Sequence, residues 1–391
     1  MRVKQKKIII IGVVALLIVN VFSFALIYRE ANSFFKNVTK EEKKYQQRIE
    51  HMNLFGISKD ETVNITSETA GSLAGQDYRV SLSGNIYYAT TSTGERSNKW
   101  VVLIHGFMMS GESMANAVGQ VYLDQGYNIL APDLRGAGNS GGKTGMGYLE
   151  SLDIWDWLTF LNSNYNVDEV IIHGISLGGA TTLQLWGQKE QGRDLESQHV
   201  VGLVDDCGYT SMTGIIQGLL QTPEGIKELA EILELPEPNL YNLIGEENIK
   251  TFLINFVGVG LTQSNFDSYQ DSFASNRAFS NVPILVIHGT SDTIVPYENS
   301  TIVINEAAAR GLKTTFWSVE NAPHAFIVAG MNNQDYRNHI IEFTNSVTKN
   351  QVDIPEQTPP STGTNNIINQ ITSKIQEAYT NILNRIKEIF S

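Results

Sequence analysis

Short apolar runs recur along the middle of this chain, each closed by glycine or a turn residue, and they alternate with stretches long enough to be helices. The runs are 100–104, 128–131, 170–173, 200–204, 284–288 and 315–319; the helix-length stretches are 112–125, 148–163, 177–189, 297–310 and 334–349. Strands alternating with helices predict a mostly parallel sheet with helices on both faces. Continuous runs such as Ile284-Leu285-Val286-Ile287 suit strands buried on both sides. Ahead of them, 78–82 and 86–91 flank Ser83-Gly84-Asn85, which predicts a β-hairpin. No internal repeat of roughly 20–50 residues is visible.

One interval breaks the alternation. Almost 80 residues separate the strand ending near Asp205 from the one starting at Pro283, and they read mainly as helix, at 214–221, 225–235 and 246–257. A compact domain rarely carries so long a connection without using it. Residues 211–281 are therefore expected to form an inserted helical cap, with a side-lobe that has no lid role as the alternative. Residues 350–366 have the Pro, Thr, Gly and Asn composition of a linker. In 367–391, Ile368, Ile375, Ile382 and Ile389 stand seven apart, with Ile371 and Ala378 between, which makes one apolar stripe on a helix. Such a helix could lie on a membrane, dock on the body or pair with another helix.

Charge divides the chain unevenly. The first 50 residues hold 10 basic and 4 acidic side chains; the remaining 341 hold 18 and 37. A body that acidic argues against nucleic acid as a partner. Arg2, Lys4, Lys6 and Lys7 precede 8–28, a run of 21 residues without charge. A bilayer core takes roughly 20 apolar residues as helix, so 1–29 is expected to be a transmembrane signal anchor. Its basic flank should stay cytoplasmic, placing 30–391 outside the cell membrane. Ser23-Phe24-Ala25 offers the alternative of a cleaved signal peptide and secretion. Residues 30–77 read as a stalk or linker, and 78–349 as the body. The single cysteine, Cys207, excludes an internal disulfide and any Cys-based metal cluster, and reads as a small buried residue.

The chemistry concentrates in three places. Gly174-Ile175-Ser176-Leu177-Gly178 follows an apolar strand and opens a helix. A nucleophile on so sharp a turn needs small neighbours, and the helix N-terminus beside it favours negative charge. A serine nucleophile needs a base, and the base needs an orienting carboxylate. The strand at 284–288 leads into Gly289-Thr290-Ser291-Asp292, and the next one into Glu320-Asn321-Ala322-Pro323-His324. Ser176, Asp292 and His324 thus stand in the order expected for this architecture, each in a loop at the C-terminal end of a strand. His324 is expected to take the proton of Ser176, and Asp292 to hold the imidazole. Asp205 and Asp206 compete for the acid role, because they also end a strand. Oxyanion donors are expected from the N–H of Leu177 and that of Phe107, with Met108 as the fallback. Phe107, Met108 and Met109 supply an apolar wall for an acyl or alcohol group.

Other features carry less. His105, His173 and His288 each sit beside a strand end and read as packing or loop-bracing residues; His51, His199 and His339 read as surface residues. The histidines lack metal-ligand spacing, so no metal and no cofactor is expected. Gly136, Gly138 and Gly141 spell Gly-x-Gly-x-x-Gly, but Pro132-Asp133-Leu134-Arg135 separates them from their strand and no helix opens after Gly141. A turn at the edge of the site is the better reading than a nucleotide loop.

Together the His105-Gly106-Phe107, Pro132–Ser140, Gly174–Gly179, His288–Asp292 and Pro323-His324 motifs resemble the α/β-hydrolase superfamily from about 78 to 348. The stretch 205–211 and the N-terminal segment look similar to membrane-associated serine hydrolases of Gram-positive bacteria. The resemblance implies an eight-stranded, mostly parallel sheet, a helical cap after the sixth strand, and no cofactor. It does not imply a substrate. The residues themselves point to a serine hydrolase of carboxylic esters, with a small or lipid-like acyl substrate and a modest apolar pocket. Peptidase, thioesterase and acyltransferase activities use the same three residues and stay open. So does a membrane-anchored binding protein on a hydrolase fold.

Overall fold

The computed structural model describes residues 57–348, apart from 72–75, 91–93, 108, 326–332 and much of 221–276. Among the described residues, eight strands form one sheet in the order β1-β2-β4-β3-β5-β6-β7-β8. They are β1 (Glu61–Thr66), β2 (Ser81–Tyr87), β3 (Lys99–Ile104), β4 (Tyr127–Pro132), β5 (Glu169–Ile175), β6 (Val200–Asp206), β7 (Ile284–Gly289) and β8 (Thr314–Val319). β2 runs antiparallel to both β1 and β4. Every other neighbouring pair is parallel, as the strand–helix alternation requires. The described helices are α1 (Gly111–Leu123), α2 (Tyr148–Asn164), α3 (Leu177–Trp186), α4 (Met212–Leu219), α5 (Glu298–Ala309) and α6 (Asn333–Val347).

The inner strands feed two cores. Trp100, Val102 and Ile104 of β3 and Ile284 and Val286 of β7 pack with residues of α2, α3, α4 and α5. Their neighbours Val101, Leu103, Leu285 and Ile287 pack on the other face, with Met114 and Tyr122 of α1 and Tyr336, Ile340 and Phe343 of α6. Successive side chains of a strand point to opposite faces, so an unbroken apolar run serves both layers. Each such aliphatic side chain contributes about 1.5–3 kcal/mol by leaving water. This two-sided burial holds the C-terminal ends of β5, β7 and β8 along one edge, where the three candidate side chains emerge.

The expected hairpin at Ser83-Gly84-Asn85 is not there. These residues lie inside β2, between two antiparallel partners, with Val63 of β1 and Pro132 of β4 opposite Gly84. Gly84 serves close packing and not a turn: a Cβ there would stand 3.1 Å from the Trp157 ring and 3.3 Å from Leu130. Asn85 is kept in the strand because its buried Oδ1 accepts from the Thr62 hydroxyl at 2.8 Å. The chain reverses later, where Thr90 and Arg96 form an antiparallel bridge around Gly94, at φ +74°. The sheet also begins earlier than expected, since β1 falls within 30–77. α4 opens the expected cap segment, and Ile226, Ala230, Ile249 and Leu253 of that segment join the first core; much of the rest lies outside the described residues. No helix among the described residues is long and apolar enough to cross a membrane. Residues 1–29, 350–366 and 367–391, with the anchor and the C-terminal helix expected there, lie outside the described residues.

The glycine-rich loop after β4 is a turn built on Asp133. One carboxylate oxygen accepts from Gly111 N–H and the other from Asn139 N–H, each at 2.9 Å. Gly138, at φ +52°, has no room for a side chain, because its Cβ would meet Asp133 Oδ2 at 2.2 Å. The next residue but one, Arg135, is buried in a two-pronged ion pair with Asp153, at 2.7 and 2.6 Å.

Candidate active site

Ser176 sits between β5 and α3 with φ +56° and ψ −113°, a conformation that costs a non-glycine residue about 1–2 kcal/mol. Its neighbours explain how the turn closes. A Cβ on Gly174 would lie 2.0 Å from Gly178 O, and one on Gly178 would lie 2.1 Å from Ile104 O. On Gly179 it would meet Asp205 Oδ1 at 2.4 Å. All three positions admit glycine alone. The strained residue is tied on both sides, donating from its N–H to Asp206 O at 2.8 Å and accepting at its carbonyl from Ala180 N–H at 2.9 Å.

Three loops bring the remaining groups to this turn. His324 Nε2 lies 2.9 Å from Ser176 Oγ, and His324 Nδ1 lies 2.7 Å from Asp292 Oδ2. The other carboxylate oxygen of Asp292 accepts from Ile294 N–H at 3.0 Å and Val295 N–H at 2.8 Å, which fixes its rotamer. A carboxylate accepts only, so Nδ1 carries the proton and Nε2 is left to face Ser176 as an acceptor. Burial pushes the Asp292 carboxyl up, but hydrogen bonds from His288 and His324, and their charges, outweigh it and hold the group below the ordinary carboxylate range. The His324 side chain is 17% exposed and Asp292 is closed off. The arrangement can therefore take a proton from the hydroxyl at an open edge and hold the resulting imidazolium against a buried charge.

The expected oxyanion donors flank the same point. Leu177 is the first residue of α3, which sets the helix N-terminus beside Ser176. The loop after β3 closes on the turn from the other side: a Cβ on Gly106 would be 3.5 Å from Ser176 Cβ and 3.3 Å from Met109 Sδ. Phe107 follows, 36% exposed as a residue, Met109 is half-buried, and Met108 lies outside the described residues. His105 braces this loop. Its Nε2 accepts from Leu134 N–H at 2.9 Å, so Nδ1 donates to Gly106 O at 2.7 Å, and burial lowers its pKa.

A family model described as the α/β hydrolase fold matches residues 99–215, and one described as the prolyl oligopeptidase family matches 245–351. The chain has the α/β-hydrolase fold. An esterase from Pyrococcus furiosus superposes with a TM-score of 0.52 at 22% identity, covering 75% of this chain and 92% of its own. A hyperthermophilic esterase from the archaeon Pyrobaculum calidifontis does so with a TM-score of 0.52 at 16% identity, covering 80% and 94%. At these identities the likeness is one of fold. Among curated proteins, a multifunctional-autoprocessing repeats-in-toxin of Vibrio vulnificus is 34% identical over 167 residues, 39% of this chain and 3% of the toxin. The protein of the same name from Vibrio cholerae is 27% identical over 276 residues, 62% of this chain and 6% of the toxin. The chain thus spans at most 6% of the length of these relatives.

The competing carboxylates of this hydrolase fold are engaged elsewhere. Asp205 Oδ1 accepts from Gly208 N–H at 3.0 Å, and burial lifts its pKa to about 7. Asp206 Oδ2 accepts from the Tyr336 hydroxyl at 2.8 Å. That hydroxyl accepts in turn from His173 Nε2 at 3.0 Å, and His173 Nδ1 accepts from Tyr122 at 2.9 Å. Burial holds His173 neutral, with a pKa of about 3.

Two residues near the site were given only packing roles in the sequence. His288 donates from Nε2 to Val295 O at 2.9 Å and lies 3.2 Å from Asp292 Oδ2, so it braces the acid loop and touches the acid itself. The His-x-x-x-Asp spacing was the available signal. Cys207 lies with Asp292 and His324 in a group whose ligand atoms all fall within 4.8 Å of one another. No spacing rule finds this group, because its members come from the loops after β6, β7 and β8.

Proposed function

We propose that this chain is a serine hydrolase that cleaves a carboxylic ester or a related acyl bond through an acyl-enzyme on Ser176. The observation that carries the reading is the pair of hydrogen bonds Ser176–His324–Asp292, at 2.9 and 2.7 Å. His324 Nε2 accepts the hydroxyl proton as Oγ attacks the acyl carbon. The N–H groups of Leu177 and Phe107 receive the developing oxyanion, and Met108 and Met109 border the acyl group. The imidazolium returns its proton to the leaving alcohol, and a water activated by the same nitrogen releases the acid. Replacing the hydroxyl (Ser176→Ala) should abolish turnover of a panel of activated esters without changing the circular dichroism spectrum. Retained turnover would mean that the nucleophile is another group.

A peptidase reading draws on the match of 245–351 to the prolyl oligopeptidase family. It predicts ready cleavage of aminoacyl anilides, which an esterase would leave intact while hydrolysing esters of the same acyl group. For the whole protein, the basic flank and the apolar run at 8–28 support a membrane-anchored enzyme with its hydrolase domain outside the cell.

A further inference from the structure

We propose that Cys207, Asp292 and His324 form an inhibitory site for a thiophilic divalent cation, of which Zn²⁺ is the type. The inhibition rests on His324 being the base of the reaction; the binding does not. The single cysteine excludes a cysteine cluster but not a mixed site. The three donors are a sulfur, a carboxylate oxygen and a ring nitrogen, the set that zinc takes in proteins. All lie within 4.8 Å of one another. Zinc bonds of about 2.0–2.3 Å place tetrahedral ligands roughly 3.3–3.7 Å apart, so the widest separation must close by on the order of 1 Å, while the His324 Nδ1–Asp292 pair, at 2.7 Å, must open by about half an ångström for coordination at Nδ1.

The backbone holds the thiol there at a cost. Cys207 has φ +49°, and its N–H donates to Ile287 O at 2.8 Å, which ties the loop after β6 to β7 just ahead of the acid loop. The adjoining Asp206 is wholly buried and takes hydrogen bonds from the thiol and from the Tyr336 hydroxyl, so a carboxyl already sits against the sulfur. A cysteine thiol, with an ordinary pKa of about 8.5, carries its proton at neutral pH when no cation is present.

Binding exchanges that proton for the metal. The thiolate and the Asp292 carboxylate together balance a 2+ charge, and one proton leaves for solvent. His324 binds as neutral imidazole, and either nitrogen disables the base. Coordination at Nε2 blocks it directly; coordination at Nδ1 leaves the ring proton on Nε2, facing Ser176. The fourth position stays open to water. Entry is from the edge where His324 is partly exposed.

The test uses the full chain, reduced, with Zn²⁺ alone and Mg²⁺ as the comparison. Calorimetry in buffers of different ionisation enthalpy should give one Zn²⁺ bound and one proton released. Co²⁺ should give a thiolate-to-metal charge-transfer band, and Zn²⁺ should slow fluorophosphonate labelling of Ser176 until a chelator is added. Cys207→Ala should lose the band and the proton release, with affinity falling by more than the roughly 10–100-fold that losing an outer partner costs. Cys207→Ser keeps a small side chain of the same shape with a hydrogen-bonding group and should show the same loss of the band. Unchanged Zn²⁺ affinity in both variants, or no stoichiometric binding to the parent chain, overturns the site. The calorimetry and the band do not need turnover, so an inactive chain that binds Zn²⁺ through Cys207 would overturn the hydrolase reading alone.

Discussion

Asp292→Asn is the substitution for which the geometry makes the sharpest forecast. One carboxylate oxygen accepts two backbone N–H groups, from Ile294 and Val295. An asparagine must keep its carbonyl oxygen on that side, because turning its NH₂ there would set donor against donor. The NH₂ then faces His324 Nδ1 and donates to it. The imidazole is forced into the other tautomer, with its proton on Nε2, 2.9 Å from Ser176 Oγ, where a base is needed. The buried charge that stabilises the imidazolium is lost as well. In triads of this kind the combined loss is about 10⁴ in kcat, equal to about 5.5 kcal/mol of barrier. Steady-state kinetics on an activated ester should show this fall in kcat with little change in KM. Asp206→Asn should cost less than about tenfold, since its carboxylate serves Tyr336 and not His324. An Asp292→Asn enzyme within about tenfold of the parent, or a larger loss in Asp206→Asn, would refute the assignment of the acid.

Three further outcomes are expected, two from the structure and one from the proposed membrane orientation. Gly178→Ala, which drives a Cβ to 2.1 Å from a backbone carbonyl, should lower unfolding free energy by on the order of 3 kcal/mol or more, whereas Gly94→Ala, with open space around it, should cost only the positive-φ penalty of about 1 kcal/mol; urea unfolding compares the two. His173 has its folded pKa lowered from 6.5 to about 3, so the unfolded chain binds its proton first: stability should be full above the unfolded value and fall with acid by up to about 1.4 kcal/mol per pH unit, a slope that His173→Gln should reduce in thermal melts. Protease added to intact cells should digest the hydrolase domain if it lies outside the membrane, and full protection would reverse the proposed orientation.

Much of the site could be read from the sequence because its signals are compact. Gly174 is needed by a contact inside the strand–helix turn, Gly178 and Gly179 stand in the same short motif although they make room for Ile104 and Asp205 of neighbouring strands, and Asp292 and His324 follow strands whose apolar runs are unmistakable. β1 was missed for the opposite reason. It is an edge strand whose half-buried face holds Glu61, Val63 and Ile65, and two apolar residues are too few to signal a strand. Ser83-Gly84-Asn85 misled because small and polar residues usually mark turns; here Gly84 makes room for Trp157, a residue far away in the chain. The contact of Cys207 with Asp292 depends on how the loops after β6 and β7 converge, which no spacing within one loop encodes, whereas that of His288 was open to its His-x-x-x-Asp spacing.

The central claim is that Ser176 is an activated nucleophile, and a fluorophosphonate probe tests it most directly. Labelled protein would be digested and the adduct mapped by mass spectrometry, with Ser176→Ala alongside. The account predicts one adduct, on Ser176, absent from the variant and slowed severely in Asp292→Asn. A folded sample that stays unlabelled, or one labelled equally in the variant, would contradict it.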